Sequence, residues 1–173
     1  KACCACEING VVCDLRTHLT ENCQVTFLTF DDKEGQKVFW HTASHILAQA
    51  VKRLYPNVKL CIGPAIDNGF YYDFDSETSF TPEVLKKLED EMKKIVKEDI
   101  ELTRFALPKA EAVAKFTAEN EPYKVELIND LPAGSVISCY KQGNFMDLCR
   151  GPHLPSTGKI KAFKSVKLLF HIS

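Results

Sequence analysis

Two short stretches of this chain hold the residue types that could do chemistry. His41-Thr42-Ala43-Ser44-His45 has the pattern H-x-x-x-H, and Cys149-Arg150-Gly151-Pro152-His153 has the pattern C-x-x-x-H. Residues four apart stack on one helix face, so a helix through the first stretch presents His41 and His45 to one point. A loop through the second adds the Cys149 thiol and the His153 imidazole. Three nitrogen donors and one sulfur donor make a set that zinc accepts. Without metal, the same groups form a polar cluster able to hold a water and move protons. The residue types leave both open.

The elements that must position these residues are legible from periodicity. Asn9-Gly10 is a turn signal followed by the strand-like Val11-Val12-Cys13, and Val25 to Phe30 reads as a second strand. Two strands cannot bury a core alone, so this piece either packs on the rest or is the remnant of a cut domain. From about Gln36 to Leu54 the period is helical, with Phe39, Ala43, Leu47, Ala50 and Leu54 forming one apolar stripe. His41 and His45 fall opposite that stripe, which taken alone predicts a solvated pair. Asp67-Asn68-Gly69 joins two apolar runs as a hairpin, in which Phe70, Tyr72 and Phe74 share one face. Such aromatics are usually core, although a phenol at the edge of that face could line a pocket.

Thr81-Pro82-Glu83 opens a helix whose buried stripe is Leu85, Leu88, Met92 and Ile95. Ile100 to Phe105 alternates like a strand. A third helix from Pro108 runs through Ala110, Val113, Ala114 and Phe116, and a short helix to Asn129 carries Lys124, a bland surface lysine by itself. A second hairpin, Val136 to Lys141 and Phe145 to Cys149 around Gly143-Asn144, places Asp147 and Cys149 on one strand face. Lys159, Lys161, Lys164 and Lys167 stud the last segment, as lysines that keep a sheet edge soluble or meet a phosphate backbone.

Composition sets the outer limits. The 173 residues, 45% hydrophobic and 26% charged, suffice for one globular domain with a small attachment. A net charge of −1 argues against a polybasic nucleic-acid binder, though not against a local basic pocket for one RNA end. No apolar run reaches the roughly 20 residues that span a bilayer, and no signal-peptide pattern opens the chain. Eight cysteines without a secretory signal read as reduced thiols of the cytoplasm, and Cys3 and Cys6 as small buried residues rather than half of a metal site. Residue 1 is Lys, which reads as a fragment or a processed form.

These stretches together resemble the N-terminal region of bacterial-type threonyl-tRNA synthetases. The resemblance runs through His41 to Ala50, Ile62 to Asp73, Tyr123-Lys124-Val125 and Met146 to Pro155. It spans most of residues 36 to 168. Glu7 to Phe30 looks like the C-terminal part of the TGS domain, a β-grasp module. The resemblance implies an α+β fold, an antiparallel sheet packed on a central helix, of the threonyl/alanyl-tRNA synthetase second additional domain type. It also implies a partial TGS piece over 1–33, an editing domain over 34–169 and an atypical tail over 170–173. Phe170-His171-Ile172-Ser173 departs from the family's continuation.

The activity implied is post-transfer editing, hydrolysis of serine from tRNA(Thr). By resemblance His41, Lys124 and Cys149 act on the water and the ester. His45, Tyr72, Asp147 and His153 shape the pocket and hold the seryl group or terminal adenosine. Alanyl-tRNA editing proteins share the two histidine-bearing patterns and hold zinc in them. The threonyl version is expected to need no metal, with His41, His45, Cys149 and His153 as the ligands if zinc is bound. The catalytic core, with its ATP, magnesium and zinc, is absent from this chain, and the parent enzyme is expected to be a cytoplasmic homodimer through that core. Two rival readings are a non-catalytic module that binds the tRNA acceptor end and a zinc-held domain of the alanyl type.

Overall fold

A computed structural model describes residues 2–67, 69–77 and 79–160. Lys161, Lys164, Lys167 and the 170–173 tail lie outside these residues, as does Asn68 of the Asp67-Asn68-Gly69 turn. The elements are β1 (Cys3–Ile8), β2 (Val11–Cys13), β3 (Val25–Thr29), α1 (Lys33–Leu54), β4 (Lys59–Leu60), β5 (Ala65–Ile66), β6 (Gly69–Phe70) and β7 (Phe74–Asp75). They continue as α2 (Pro82–Glu98), β8 (Leu102–Pro108), α3 (Lys109–Ala118), α4 (Pro122–Asn129), β9 (Val136–Gln142) and β10 (Phe145–Leu148), with a 3-10 turn over Thr157–Lys159. Helices and antiparallel strands make an α+β fold. No helix among the described residues is long and apolar enough to cross a membrane.

The N-terminal sheet has the order β2-β1-β3, all antiparallel. Strand β1 was not foreseen: the run Cys3-Cys4-Ala5-Cys6 has little β-branched character, and only its pairing on both sides makes it a strand. This piece does pack on the rest, for Cys4, Ala5 and Leu28 share one core with Val38, Ile46 and Val51 of α1.

Helix α1 is the centre of the molecule. Every residue from Thr42 to Val51 is buried, because α2, the N-terminal sheet and the β5–β6 hairpin enclose it on several sides. The expectation of a solvated histidine pair opposite an apolar stripe is therefore wrong for His45, which is 4% exposed. A helix covered all round has no polar face to reveal. Leu54, placed in the buried stripe by periodicity, is 37% exposed instead.

Helix α2 begins as expected, with Thr81 accepting a hydrogen bond from the Val84 N–H and Pro82 in the first turn. Leu88, Met92 and Ile95 are buried, with Leu85 only half-covered. Its C-cap, Asp99, is left-handed (φ 49°) and binds the following segment through the Ser156 hydroxyl and the Gly158 N–H. Strands β8, β9 and β10 form the second sheet in the order β10-β9-β8. Helices α3 and α4 pack together beside it through Ala112, Phe116, Ile128, Ile137 and Cys139. The buried face of α3 is thus Ala112 and Phe116 with Val113 half-covered, while Ala110 and Ala114 of the expected run are exposed.

The first hairpin is interrupted rather than continuous. β5 pairs with β6 and β4 with β7, while Cys61 to Pro64 and Tyr71 to Asp73 are held by single bonds such as Asp73 N–H to the Ile62 carbonyl at 2.8 Å. Pro64 has no N–H to give, and Gly63 lies flat on the Tyr72 ring, where a Cβ would come within 2.1 Å of ring carbon. Tyr72 and Phe74 stack at 4.8 Å between centroids.

Truncation at the centre of α1 tests this packing. Ile46→Ala is expected to cost about 2–5 kcal/mol, as for a fully buried aliphatic side chain. Urea denaturation reads the loss, and a cost below about 1 kcal/mol would contradict the burial of this helix on all sides.

Candidate functional site

The site is assembled from four elements. α1 supplies His41 and His45 on successive turns. The start of α4 is bolted to the first hairpin by Glu121, whose Oε2 accepts the Leu60 N–H at 3.0 Å, and by Tyr123, whose hydroxyl donates to Asp75 at 2.7 Å. That anchoring aims Lys124 inward, where its ammonium donates to Asp147 Oδ1. Asp147 stands on β10, and its Oδ2 also accepts the Tyr72 hydroxyl at 2.9 Å. Cys149 follows β10 and is held by Ser138, which accepts its N–H through the backbone carbonyl (3.1 Å) and donates its hydroxyl to the Cys149 carbonyl (2.8 Å). All seven residues singled out in the sequence come together. Lys124, bland by sequence, is 2% exposed.

His41 and His45 meet edge to face with ring centroids 5.2 Å apart, and His153 lies tilted against both, at 31° to His41 and 59° to His45 with centroids 4.2 Å apart in each case. Cys149 Sγ lies 3.3 Å from His41 Nε2 and 3.2 Å from His153 Nε2, and accepts the Gly151 N–H at 3.2 Å. His153 Nδ1 is 2.9 Å from Thr42 Oγ1, which also accepts the Leu154 N–H at 3.0 Å. These partners assign the tautomers. The Thr42 hydroxyl is buried, and His153 Nδ1 is the acceptor it has, so His153 carries its proton on Nε2 and donates to sulfur. The Cys149 S–H then points to His41 Nε2, and the other His41 nitrogen serves the Pro152 backbone. Thr42, Asp14, Tyr140 and Ser138 were missed by the sequence reading. Thr42 had a faint signal, a hydroxyl inside the H-x-x-x-H stretch, and the others had none.

Burial sets the protonation. It lowers His41, pushes His45 down to about 3 despite the pull of Asp147, and takes His153 well below its ordinary value. Burial likewise pushes the Cys149 thiol up to about 12, with the Gly151 N–H opposing it only in part. Near neutral pH the cluster therefore holds three neutral imidazoles and a neutral thiol. Burial also acts to raise Asp147, but the Lys124 ammonium, His45 and the hydrogen bonds from Lys124 and Tyr72 outweigh it and hold the carboxyl below its ordinary range. His41, His45, Lys124, Asp147 and Cys149 line a pocket of about 350 Å³, walled by Cys61, Ile62, Gly63, Tyr72 and Leu127, with His153 behind them.

One donor atom from each of His41, His45, Cys149 and His153 lies within 4.8 Å of the others. In composition and spacing the set fits zinc. With all four bound, however, the tetrahedral shell is closed and no position remains for water. His153 would also have to move its proton to Nδ1, leaving the Thr42 hydroxyl hydrogen without the acceptor it now has.

The sequence has counterparts among known proteins. Residues 137–168 match the family model described as threonyl and alanyl tRNA synthetase second additional domain. A threonine–tRNA ligase of Clostridium tetani is 65% identical over 158 residues, 91% of this chain and 25% of that protein. Those of Acetivibrio thermocellus and Caldanaerobacter subterraneus are 63% and 59% identical over 158 residues, again 91% of this chain. The chain spans about a quarter of the length of these relatives.

The depressed imidazoles predict a pH dependence of stability. His45 ordinarily titrates at 6.5 and in the fold at about 3, so below 6.5 the unfolded chain binds the extra proton. Stability is complete above that value and lost as pH falls through the window, by up to about 1.4 kcal/mol per pH unit for each histidine kept neutral. Asp147, depressed below its ordinary 3.8, extends the loss further into acid. Denaturation at several pH values between neutrality and the onset of acid unfolding should show this slope, made shallower by His45→Gln. An unchanged slope in that variant would contradict the assignment.

Proposed function

We propose that this chain, which its sequence places with the threonyl-tRNA synthetases, carries an editing site that hydrolyses serine from mischarged tRNA(Thr). The observation that carries the reading is the meeting of neutral His41 and Cys149 with the buried Lys124–Asp147 pair in one pocket. In this reading residues 1–33 are a partial TGS piece, 34–169 the editing domain and 170–173 an atypical tail. The whole enzyme would be a cytoplasmic homodimer, with ATP, magnesium and its own zinc in other domains.

The need for such a site is physical. Serine lacks one methyl group of threonine, a difference worth only about 1–3 kcal/mol in a binding pocket. A synthetic pocket sized for threonine also cannot exclude something smaller. A second, smaller pocket applies the opposite test and rejects the extra methyl by collision. The walls formed by Gly63 and Tyr72 leave no space between them, since the ring lies directly on the glycine.

The reaction would run by water attack on the ester carbonyl carbon. The water's proton passes to the Cys149 sulfur as the thiol's own proton moves to His41 Nε2, so that the neutral imidazole is the final acceptor and no free thiolate forms. Negative charge gathers on the carbonyl oxygen, and the Lys124 ammonium is the cation placed to stabilise it. The bond to the ribose oxygen then breaks, and the proton held by His41 goes to that oxygen, releasing serine and tRNA. His45 and His153 hold the pair in register, while Tyr72 and Asp147 offer a hydroxyl and a carboxylate to the seryl ammonium and side chain. A Cys149 thiolate is not used, because burial keeps the thiol protonated.

Deacylation of Ser-tRNA(Thr) beside Thr-tRNA(Thr) tests this. Release of serine should be selective and should fall at least about 100-fold in His41→Ala. Lys124→Ala should also abolish it, with a stability loss of about 3–5 kcal/mol because Asp147 is left buried and unpaired. No release above the spontaneous rate from folded protein would overturn the reading.

The four convergent donors favour a second reading, a zinc-held domain. Zinc bound by all of them would close the shell and stabilise the fold rather than activate water. We expect a strong chelator to leave both the melting temperature and deacylation unchanged. Stoichiometric zinc in the purified protein, lost in Cys149→Ala, would decide for zinc.

A further inference from the structure

The loop that delivers His153 is fastened from an unexpected direction. Asp14 follows β2 in the N-terminal piece. Its Oδ1 accepts the His153 backbone N–H at 2.7 Å, and its Oδ2 accepts the Tyr140 hydroxyl at 2.6 Å. These partners lie 139 and 126 residues away in sequence. The backbone that bears the carboxylate is itself held, since the Asp14 carbonyl accepts the Thr17 N–H at 3.0 Å in a turn and the Cys6 thiol at 3.5 Å.

Tyr140 completes the clamp. Its ring meets the His153 imidazole edge-on at 4.5 Å, and its hydroxyl lies over Gly151. Gly151 has φ +74°, and a Cβ there would come within 2.1 Å of the Tyr140 oxygen. The loop therefore runs between the Tyr140 ring and α1, tied on one side by Thr42 and on the other by Asp14. Neither Asp14 nor Tyr140 is among the residues lining the pocket that holds Cys149 and Lys124.

We propose that Asp14 is a positioning residue for the site: it holds the Cys149–His153 loop so that the thiol stays between the His41 and His153 imidazoles. The N-terminal piece is then part of the machinery rather than an attachment beside it. In its effect on turnover this rests on the editing reading above, but the geometric role does not. Charge-assisted bonds from two donors to one carboxylate are short and strong and so hold the loop against Tyr140. Loss of such a support typically costs 10–100-fold in activity although the residue never touches substrate.

The test compares Asp14→Ala, Asp14→Asn and Tyr140→Phe in the full chain with two readouts. The first is deacylation of Ser-tRNA(Thr), in which kcat should fall about 10–100-fold in Asp14→Ala with KM little changed. Asp14→Asn keeps one acceptor and should recover part of the loss. Tyr140→Phe leaves the His153 bond and should do the least harm. The second readout is the rate of iodoacetamide alkylation at Cys149, mapped by mass spectrometry against the buried Cys139 of the same molecule. It should rise in Asp14→Ala at Cys149 alone, whereas a general loosening would raise both. Should Asp14→Ala not fold, the same readouts on Asp14→Asn decide. A wild-type chain inactive on the ester whose Cys149 still responds would sink the editing reading and uphold the clamp. An active chain in which folded Asp14→Ala keeps wild-type kcat and Cys149 reactivity would overturn the clamp and leave editing standing.

Discussion

An ammonium and a carboxylate that are both withdrawn from water are tolerable only as each other's partner, and Lys124 and Asp147 are 2% and 4% exposed. Their meeting constrains much of the fold. α4 must lie against the first hairpin at the height that Glu121 and Tyr123 set, and β10 must run in the register that turns Asp147 inward. Tyr72 donates to the other oxygen of the carboxylate, which ties the hairpin to the same point. The pair acts on its neighbour in both senses: Asp147 draws a proton toward His45 and the Lys124 ammonium opposes it less, so it is burial that keeps His45 neutral.

Around that fixed pair the other polar groups are arranged to stay uncharged. Thr42, His153, Cys149 and His41 form a single run of hydrogen bonds in which each group has a donor or acceptor role assigned by the next. Neutral imidazoles are proton acceptors, and a run of them beside a fixed cation suits chemistry in which a proton leaves water while negative charge appears on oxygen. The arrangement is pre-formed, so little reorganisation is needed when charge develops. Its cost is stability in acid, where every one of these imidazoles takes a proton more readily in the unfolded chain.

The N-terminal strands change how the site is bounded. They share the α1 core through Cys4, Ala5 and Leu28, and they reach the site's far wall through Asp14. A hydrophobic contact and a charge-assisted hydrogen bond thus act on the same body. Loosening of the small sheet would be felt at the loop that carries Cys149 and His153.

Much of this was legible in the residues alone. Helical and alternating periods located α1, α2 and the two hairpins, and the spacing of His41, His45, Cys149 and His153 singled out the cluster, because local geometry obliges such residues to share a face. The burial of α1 was not legible, since a helix enclosed by distant elements carries no polar stripe to mark its orientation. Nor was Lys124, whose side chain looks like any surface lysine until a carboxylate 23 residues on is placed opposite it. Asp14 was least visible of all, for nothing within its own strand and turn points to His153. Sequence by itself determined which groups could do the chemistry and which short segments carry them. Tertiary structure alone decided their protonation and their partners, because both depend on how far water is excluded, and that is a property of the packed chain.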